Sequence, residues 1–572
     1  MKPEAKQIFW SFFGRYRGQV AVVVGASVLL NVVLFAGSLY LLLVYDTVLP
    51  SRSLPTLFGL FGMLLIVYVF HALFDSIRSS AMLEIAQGIH RDLAPRVHQA
   101  ATKRPLITGR AGGDGGQLVR DVDSLHSFLA GSGPTALIDL PWVIVFLTVL
   151  TLLHFWLGLA ALFGVLVMAA IAIYSSFRTR EASRDLARIT AERNGRFQAH
   201  LRMAETAAAL GMHERLLSRS VQADGSYRSI QAGLAVVVAR FGGGGRVFRL
   251  FLQSLVLTVG AILVVDDKAT AGVIIAASVL TGRALAPVDQ AIANWRGLEA
   301  ATSGWGRIVD ALSALPTKVV PQTTLEAPVR TIEVKNVWVA PPGTSKAVVK
   351  GVSFALEAGQ VLAVIGPSAA GKTTLIKAML GIWKPTRGEV RLDGALHDHW
   401  DATVLGKSFG YVPQAVELVE GTIGENIARL DPEATSEAVI AATKMAGMHD
   451  LILALPNGYD TYIGGGAELS AGQRQRIGLA RALYGDPFLL VLDEANSNLD
   501  EAGDQALAKA ITAHRARGGI AMMITHRPSA LGPATHVAML KDGSLSDFGP
   551  RDEVLERVLK KPIDIRSRET AA

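Results

Sequence analysis

Residues 361–373 read Val361-Leu-Ala-Val-Ile-Gly366-Pro-Ser-Ala-Ala-Gly371-Lys372-Thr373, and they decide the fold of the second half of the chain. The first five are apolar, which predicts a buried strand. The other eight match G-x-x-x-x-G-K-[ST], a turn that points backbone N–H groups at phosphate oxygens and opens a helix. A chance match would lack this placement, so we predict a phosphate-binding loop between a strand at 361–365 and a helix at 372–380.

The predicted nucleotide-binding segment comprises nine consecutive residues: Gly366, Pro367, Ser368, Ala369, Ala370, Gly371, Lys372, Thr373 and Thr374. Lys372 would bring its charge to the β- and γ-phosphates of ATP, and the Thr373 hydroxyl is placed to bind Mg²⁺. The two alanines stand where smaller residues are common in such loops. We expect them to limit the flexibility of the loop without removing N–H donors.

A second apolar run, at 488–492, ends in Asp493-Glu494. It predicts a buried parallel strand that presents Asp493 at its carboxyl end, where a carboxylate can hold Mg²⁺. Glu494 is then placed to act as general base for an attacking water. The alternative is a strand that ends in a solvated acidic turn, and the phosphate loop upstream argues against it. From residue 331 the alternation of strands and helices predicts an α/β domain.

Four further stretches make the second half resemble the ABC ATPases. Leu469-Ser-Ala-Gly-Gln473 resembles their signature, Ser497-Asn-Leu-Asp500 their D-loop, and Gln414 and His526 stand where the family has its Q-loop and switch residues. The resemblance implies catalytic roles for Glu494, Gln414 and His526, and Mg²⁺ ligation by Thr373, Gln414 and Asp493. It also implies that ATP meets the signature and D-loop residues of a second subunit: Ser470, Gly472, Gln473 and Asp500. One phosphate loop per chain then implies a homodimer.

The adenine contact is less clear in this sequence. The family usually has a stacking aromatic residue about 25 positions before the phosphate loop, and Pro341 stands near that position. Trp338 is two or three positions early. Either it stacks on adenine or it packs within the domain, because strand alternation could point it elsewhere.

The first half of the chain has the composition of a membrane protein. The whole chain is 50% hydrophobic and only 18% charged, with a mean hydropathy of +0.35 and no cysteine, which excludes disulfides and thiolate metal sites. The first 310 residues contain long apolar stretches, each long enough or nearly so to span a bilayer as a helix. They lie at 20–49, 54–74, 134–153, 156–177, 247–265 and 269–285. We read the first as an uncleaved span.

The positive charge lies between these stretches, and its placement predicts the topology. Segments 75–133 and 178–246 hold seven and twelve Lys or Arg residues, whereas the other connections are short and nearly free of them. Both long segments and both termini are therefore predicted to be cytoplasmic. Their tips are placed near 112–121 and 208–214, although the glycines at 112–116 could equally form a plain turn. Asp139 lies near the start of the third stretch, where we favour a structural or capping role over proton transfer.

The arrangement of six spans before one ATPase domain resembles ABC half-transporter exporters. Within them, Val44-Tyr-Asp-Thr-Val-Leu-Pro-Ser-Arg-Ser53, Ile138-Asp-Leu-Pro-Trp142, Val339-Ala-Pro-Pro-Gly343 and Asp493-Glu-Ala-Asn-Ser-Asn-Leu-Asp500 resemble the permease/ATPase of type I secretion systems that export metalloproteases and repeat-rich proteins. Ala495 departs from this group, which commonly has Pro there. Only about 20 residues precede the first span, so we expect no N-terminal peptidase domain.

The predicted organisation is thus an all-α six-span membrane domain with helical extensions at 1–310, a linker at 311–330 and an α/β P-loop ABC ATPase domain at 331–572. The resemblance implies ATP-driven export of an unfolded polypeptide with a C-terminal signal from a bacterial inner membrane. The implied partners are membrane lipid, a periplasmic adaptor, a TolC-like outer-membrane channel and the secreted protein. The alternatives are export of lipid, drug or peptide, and an ATP-gated channel. A nucleic-acid partner is not expected.

Overall fold

The computed structural model describes residues 14–109, 115–314, 325–464 and 469–560. Contacts within the chain divide it into two compact units, the first comprising residues 1–105 and 110–316 and the second residues 106–109 and 317–572. The first is entirely helical in its described part, and the second combines helices with three sheets. The helix that ends at Ser313 extends three residues into the range predicted as a linker.

The first unit consists of long helices joined by short connections. A π-helical turn, Val44–Val48, lies between the second and third of them. The helices, numbered along the chain, are α1 (Arg17–Val33), α2 (Phe35–Leu43), α3 (Leu49–Ser51), α4 (Leu54–Thr108), α5 (Gly115–Ala130), α6 (Gly133–Asp139), α7 (Trp142–Leu153), α8 (Phe155–Arg202), α9 (Ala204–Ala209), α10 (His213–Val265), α11 (Ala271–Ala293) and α12 (Trp295–Ser313).

Six of the helical segments match the six predicted spans. Five continuous helical stretches are long and apolar enough to cross a membrane, and the first of them, Arg17–Ser51, comprises α1, α2, the π-helical turn and α3. A sixth span results when α6 and α7, bent by 41°, are taken together. Pro141 lies at that bend. Proline has no backbone N–H, so one hydrogen bond of the helix is missing there and the helix can bend. Helices α4, α8 and α10 have 55, 48 and 53 residues, so they continue well past a bilayer thickness. The predicted helical extensions are therefore present.

The span core is built from apolar side chains that interlock at close range. Phe146, Leu157 and Leu252 are fully buried in one cluster. A Cβ atom placed on Gly164 would lie 2.0 Å from Leu252, so only glycine lets α8 and α10 approach this closely. Close backbone approach at a small residue is a common basis for helix packing inside membranes, where apolar burial alone does not favour protein over lipid.

Asp139 has a structural role in this unit. Its carboxylate accepts from the Arg78 guanidinium at 2.9 Å and from the Asn31 amide at 2.9 Å, so it joins α6 to α4 and α1. Arg78 also pairs with Asp75 one turn before it. A carboxylate that is paired with an arginine and hydrogen-bonded is stable at membrane depth, where an isolated charge is not. The contacts favour the structural role over proton transfer, and they are tertiary contacts rather than a helix cap.

The two predicted tips of the helical extensions, at 112–121 and 208–214, agree only in part with the helix bounds of the structure. Of the range 112–121, residues 112–114 lie outside the described residues, and the remainder is helical because α5 begins at Gly115. In the second tip the chain turns between α9 and α10, at 210–212, within the predicted range 208–214. Beyond the spans, Asp121 on α5 receives two hydrogen bonds, of 2.7 and 2.8 Å, from Arg307 on α12. The pair, in which Asp121 is buried and Arg307 is exposed, ties α5 to the last helix of the unit.

The second unit contains a four-stranded antiparallel sheet, a six-stranded sheet and a two-stranded sheet. The strands are β1 (Thr331–Val339), β2 (Val349–Glu357), β3 (Val361–Ile365), β4 (Arg387–Leu392), β5 (Ala395–Leu396), β6 (Phe409–Val412), β7 (Gly421–Thr422), β8 (Tyr462–Ile463), β9 (Leu489–Asp493), β10 (Ile520–Ile524), β11 (His536–Lys541) and β12 (Ser544–Pro550). The strand orders in the three sheets are β2-β1-β4-β5, β12-β11-β3-β10-β9-β6 and β7-β8. In the six-stranded sheet only β12 is antiparallel.

Helices cover this parallel sheet, and its strands β3, β9 and β10 are almost fully buried. The predicted strand at 361–365 matches β3, whereas the strand predicted at 488–492 lies one residue later. The helix predicted at 372–380 ends at Met379. The helices are α13 (Lys372–Met379), α14 (Ala402–Ser408), α15 (Ile423–Ile427), α16 (Ser436–Met445), α17 (His449–Leu453), α18 (Ala471–Leu483), α19 (Glu501–Ala516) and α20 (Arg551–Lys560).

His514, near the end of α19, predicts a loss of stability in acid. Burial lowers the pKa of His514 from 6.5 to about 4. The side chain is neutral in this site, where it contacts the Ile520 carbonyl at 3.0 Å and the Arg517 guanidinium at 3.1 Å. Because the unfolded chain binds a proton in the window between these two pKa values and the folded chain does not, this stability contribution falls as pH drops from about 6.5 towards 4.

We expect His514→Gln to remove this part of the pH dependence. Between pH 7.5 and 5, the wild type should lose about 2 kcal/mol more of unfolding free energy than the variant. Melting curves of both proteins across that range give the difference directly. Equal pH profiles would contradict the low pKa assigned to His514.

Candidate active site

The phosphate loop follows β3 at the carboxyl edge of the parallel sheet, where ligands of open α/β sheets bind. Gly366 has φ +148°, and a Cβ atom there would lie 2.2 Å from the Leu540 carbonyl oxygen, so no other residue fits. Gly371 has φ +96°. Ala369 has φ +63°, a left-handed conformation that is unfavourable for a residue with a side chain. The loop is therefore held in a defined turn, with Pro367 and Ser368 exposed.

Lys372 points back over the loop. Its Nζ donates to the carbonyl oxygens of Gly366 and Pro367 at 2.9 and 3.0 Å, and the residue is only 7% exposed. Burial lowers the pKa of Lys372, and the nearby carboxylates of Glu494 and Asp493 act in the opposite direction. The ammonium group is thus already placed among the loop atoms before any phosphate is bound. Thr374 lies beside it in the first turn of α13.

Thr373 and Asp493 bring two oxygen ligands together. The Thr373 hydroxyl lies 3.3 Å from Asp493 Oδ1, at the carboxyl end of β9. The pKa of Asp493 is raised, chiefly by burial and also by the charge of Glu494, whereas the hydrogen bond from Thr373 acts in the opposite direction. No cluster of three or more acidic, histidine or cysteine side chains suited to a metal occurs among the described residues. The pair suits Mg²⁺, which commonly takes one or two protein oxygens and fills its octahedron with phosphate and water.

Glu494 is the centre of a small polar group. Its Oε2 accepts from the Gln414 amide at 2.9 Å, and its Oε1 lies 3.3 Å from His526 Nε2. The structure therefore brings together the three residues predicted as catalytic. Gln414, which was also predicted as a metal ligand, directs its amide nitrogen to Glu494 here. Glu494 itself has φ +52°, and its backbone N–H donates to the Ile524 carbonyl of β10 at 3.2 Å.

The signature residues form a helix N-terminus. The Ser470 hydroxyl accepts from the Gln473 N–H at 3.2 Å, and the Gln473 side chain accepts from the Ser470 N–H at 2.8 Å, which is a capping box. Gln473 thus has a structural contact within its own chain, and its contact with the ATP of a second subunit stays a prediction. Gly472 lies beside the Asn498 carbonyl oxygen, 3.0 Å from where a Cβ atom would be. The N-terminus of α18 carries partial positive charge, which suits a phosphate.

Asp500 caps the next helix and is tied to the signature helix. Its carboxylate accepts from the Gly503 N–H at 2.8 Å and pairs with Arg476 of α18. The Gly503 hydrogen bond and the Arg476 guanidinium lower the pKa of Asp500. The sequence motifs do not include Arg476. Its position six residues after Ser470, on the helix that the signature opens, is the only signal that could have drawn attention to it.

Trp338 lies on the face of β1 opposite to the buried Val337 and Val339. Its indole N–H donates to the Asn336 side chain at 3.2 Å, and its ring lies beside Gly351 of the neighbouring strand. These contacts give the half-buried tryptophan a packing role within the antiparallel sheet. Adenine stacking by Trp338 stays a prediction.

Known sequence families match both units. The family model described as "ABC transporter" matches residues 349–497, and the model described as "ABC transporter transmembrane region" matches residues 20–287. The type I secretion system ATP-binding protein PrsD of Rhizobium meliloti is 46% identical over 536 residues, which covers 94% of this chain and 92% of PrsD. The chain belongs to the type I secretion ABC transporters. It is an ATP-binding, ATP-hydrolysing transporter that spans a membrane.

More distant relatives of this ABC transporter carry related names. The alpha-hemolysin translocation ATP-binding protein HlyB of Escherichia coli is 27% identical, with 95% of this chain and 77% of HlyB covered. The cyclolysin secretion/processing ATP-binding protein CyaB of Bordetella pertussis is 28% identical, with 95% and 76% covered. A solved bacterial Atm1-family ABC exporter with ATP bound superposes with a TM-score of 0.82 over 95% of this chain and 96% of that one. At 22% identity, this likeness concerns the fold alone.

Proposed function

We propose that this transporter hydrolyses ATP to export an unfolded polypeptide with a C-terminal signal, of the repeat-rich or protease type. The observation that carries the proposal is its 46% identity, over almost the whole chain, to a relative named for type I secretion. The intact group around Glu494 supports turnover of ATP rather than mere gating by it.

The site supports a direct hydrolytic mechanism. The loop N–H groups and Lys372 would hold the β- and γ-phosphates, and Thr373 and Asp493 would hold Mg²⁺, which neutralises phosphate charge. Glu494 would accept a proton from the water whose oxygen attacks the γ-phosphorus. The bond to the β,γ-bridging oxygen breaks, which releases ADP and phosphate. Gln414 and His526, on either side of the carboxylate, would fix its orientation.

We also propose that two copies form the working ATPase. Each chain has one phosphate loop, and in a head-to-tail pair Ser470, Gly472 and Asp500 of one copy would complete the site around the other copy's ATP. The capped N-terminus of α18 favours an anion there, because it adds N–H donors to a positive helix end. In this arrangement neither copy alone holds a full site.

The proposed setting is the bacterial inner membrane, with the ATPase domain in the cytoplasm. The proposed partners are membrane lipid, a periplasmic adaptor and a TolC-like outer-membrane channel. The arginine-rich extensions support this orientation, because positively charged segments stay on the cytoplasmic side.

Reconstitution tests the proposal. The purified transporter in liposomes should show ATPase activity that rises when a C-terminal segment of a candidate passenger, taken from the same genome, is added. The same segment with its last residues scrambled is the control, and Glu494→Gln should show no response. Stimulation by lipids alone, with no effect of any passenger segment, would contradict polypeptide export and favour a lipid exporter.

A further inference from the structure

The stretch Val44–Ser53, which sets this chain apart among exporters at the sequence level, makes a specific contact at the outer ends of the spans. By outer ends we mean those joined by the short connections 52–53, 154 and 266–270. Asp46 lies in the π-helical turn Val44–Val48 of the first span. Its Oδ2 accepts from the Thr270 hydroxyl at 2.6 Å, and its Oδ1 accepts from the Gly272 N–H at 2.8 Å. Asp46 therefore caps α11, the sixth span, from another helix.

The site is built around the carboxylate. Thr270 is the N-cap residue of α11 and accepts from the Val273 N–H, so its hydroxyl can donate to Asp46 at the same time. A Cβ atom on Gly272 would lie 2.6 Å from the Asp46 carboxylate, so glycine leaves the space that the carboxylate occupies. A negative charge at a helix N-terminus is favourable, and charge-assisted hydrogen bonds are the stronger kind.

The π-helical turn is a second, independent sign of function. Such turns are rare, occur mostly as single-turn insertions within α-helices, and are frequent at functional sites. Here the turn includes Asp46 and is followed at once by the short helix α3. Among the described residues, further polar contacts between spans lie farther from the outer ends: Gln253 with Ser278, Arg78 with Asp139, and Arg249 with Asp289. Apolar contacts hold spans together only weakly, because lipid tails are as apolar as the side chains. A directional polar contact at the outer ends is therefore well placed to control the separation of the two spans.

We propose that Asp46 is a positioning residue that latches the outer ends of the first and sixth spans together in the resting transporter, and that its release accompanies opening of the outer side. The latch is reversible because Asp46 is partly exposed, so that water can replace both hydrogen bonds. The link to opening rests on the proposed export function, whereas the latch itself does not.

Spin labels measure the latch without a passenger. The chain has no cysteine, so Leu49→Cys and Val265→Cys, both at exposed positions of the outer ends, can be labelled cleanly. Without nucleotide, and with doubly labelled chains diluted into an excess of unlabelled chains so that only distances within one copy are measured, we expect one narrow distance between the labels. Asp46→Asn and Gly272→Ala should each broaden and lengthen it, because loss of charge-assisted hydrogen bonds lowers the closed-to-open ratio roughly tenfold or more. Thr270→Val, which removes one of the two bonds, should give an intermediate result.

Dye leakage from proteoliposomes gives a second readout that a purely structural contact would not change. The same variants should leak faster than wild type while their ATP affinity stays unchanged, which shows that the ATPase domain is folded, and an unchanged elution volume in gel filtration shows that the whole transporter is intact. The control is Asp266→Asn with Asp267→Asn, two acidic residues of the outer connection 266–270, where the Asp266 side chain pairs with Lys268. Wild-type distances and leakage in Asp46→Asn and Gly272→Ala would overturn the latch. Failure of wild type to export any passenger would overturn the proposed function and leave the latch result standing.

Discussion

Replacing Glu494 by glutamine should lower ATP hydrolysis by at least about 100-fold, the range expected when a general base is lost. The side chain keeps its size, and its carbonyl oxygen can still accept from the Gln414 amide, which lies 2.9 Å from the carboxylate. It can no longer accept a proton from water. ATP binding should persist, because the loop and Lys372 are untouched, so the variant should accumulate ATP-bound transporter.

The measurement is steady-state phosphate release, together with the amount of labelled ATP retained after gel filtration. Glu501→Gln is the matched control, since it makes the same chemical change at an exposed position at the start of α19. Turnover close to the wild-type rate in Glu494→Gln would contradict its assignment as the base and leave Asp493 as the acidic residue to test.

Lys372→Ala should weaken ATP binding roughly 10- to 150-fold, the loss that corresponds to one hydrogen bond to a charged group. The structure shows why the effect should be large. The ammonium is buried and already hydrogen-bonded to the Gly366 and Pro367 carbonyls, so it reaches the phosphates with little reorganisation. The dissociation constant of ATP, measured calorimetrically on detergent-purified transporter, tests this.

A suitable control is Lys384→Ala, because Lys384 is an exposed lysine that pairs with Asp398 on the surface of the same domain. Its removal should leave the ATP affinity unchanged. Equal affinities for wild type and Lys372→Ala would be incompatible with phosphate binding by this loop.

The sequence predicted well those features that depend on local pattern. Apolar runs and the fixed spacing of the phosphate loop predicted β3, the start of α13 and Asp493 at a strand end, because strand and turn preferences are encoded within a few neighbouring residues. The six spans also followed from composition alone, since a membrane demands long apolar helices.

Contacts between distant parts of the chain were beyond sequence reasoning. Arg78 was read as one more positive charge of a basic segment, whereas it pairs with Asp139, 61 residues away. Arg476 and the latch residue Asp46 were missed for the same reason, since their partners are brought near only by folding. Gln473 shows that one residue spacing can fit two different contacts. Its spacing from Ser470 fits a capping box as well as a nucleotide contact, and in the structure it forms the capping box.

The backbone conformation of Glu494 lowers the stability of the folded domain. At φ +52° a residue with a side chain is strained, by about 1–3 kcal/mol, where glycine would not be. Exchange to glycine would therefore yield a more heat-resistant protein that no longer turns over ATP. The domain gives up thermal tolerance to place the carboxylate of the proposed base at this position, so stability screens of this protein would select against its activity.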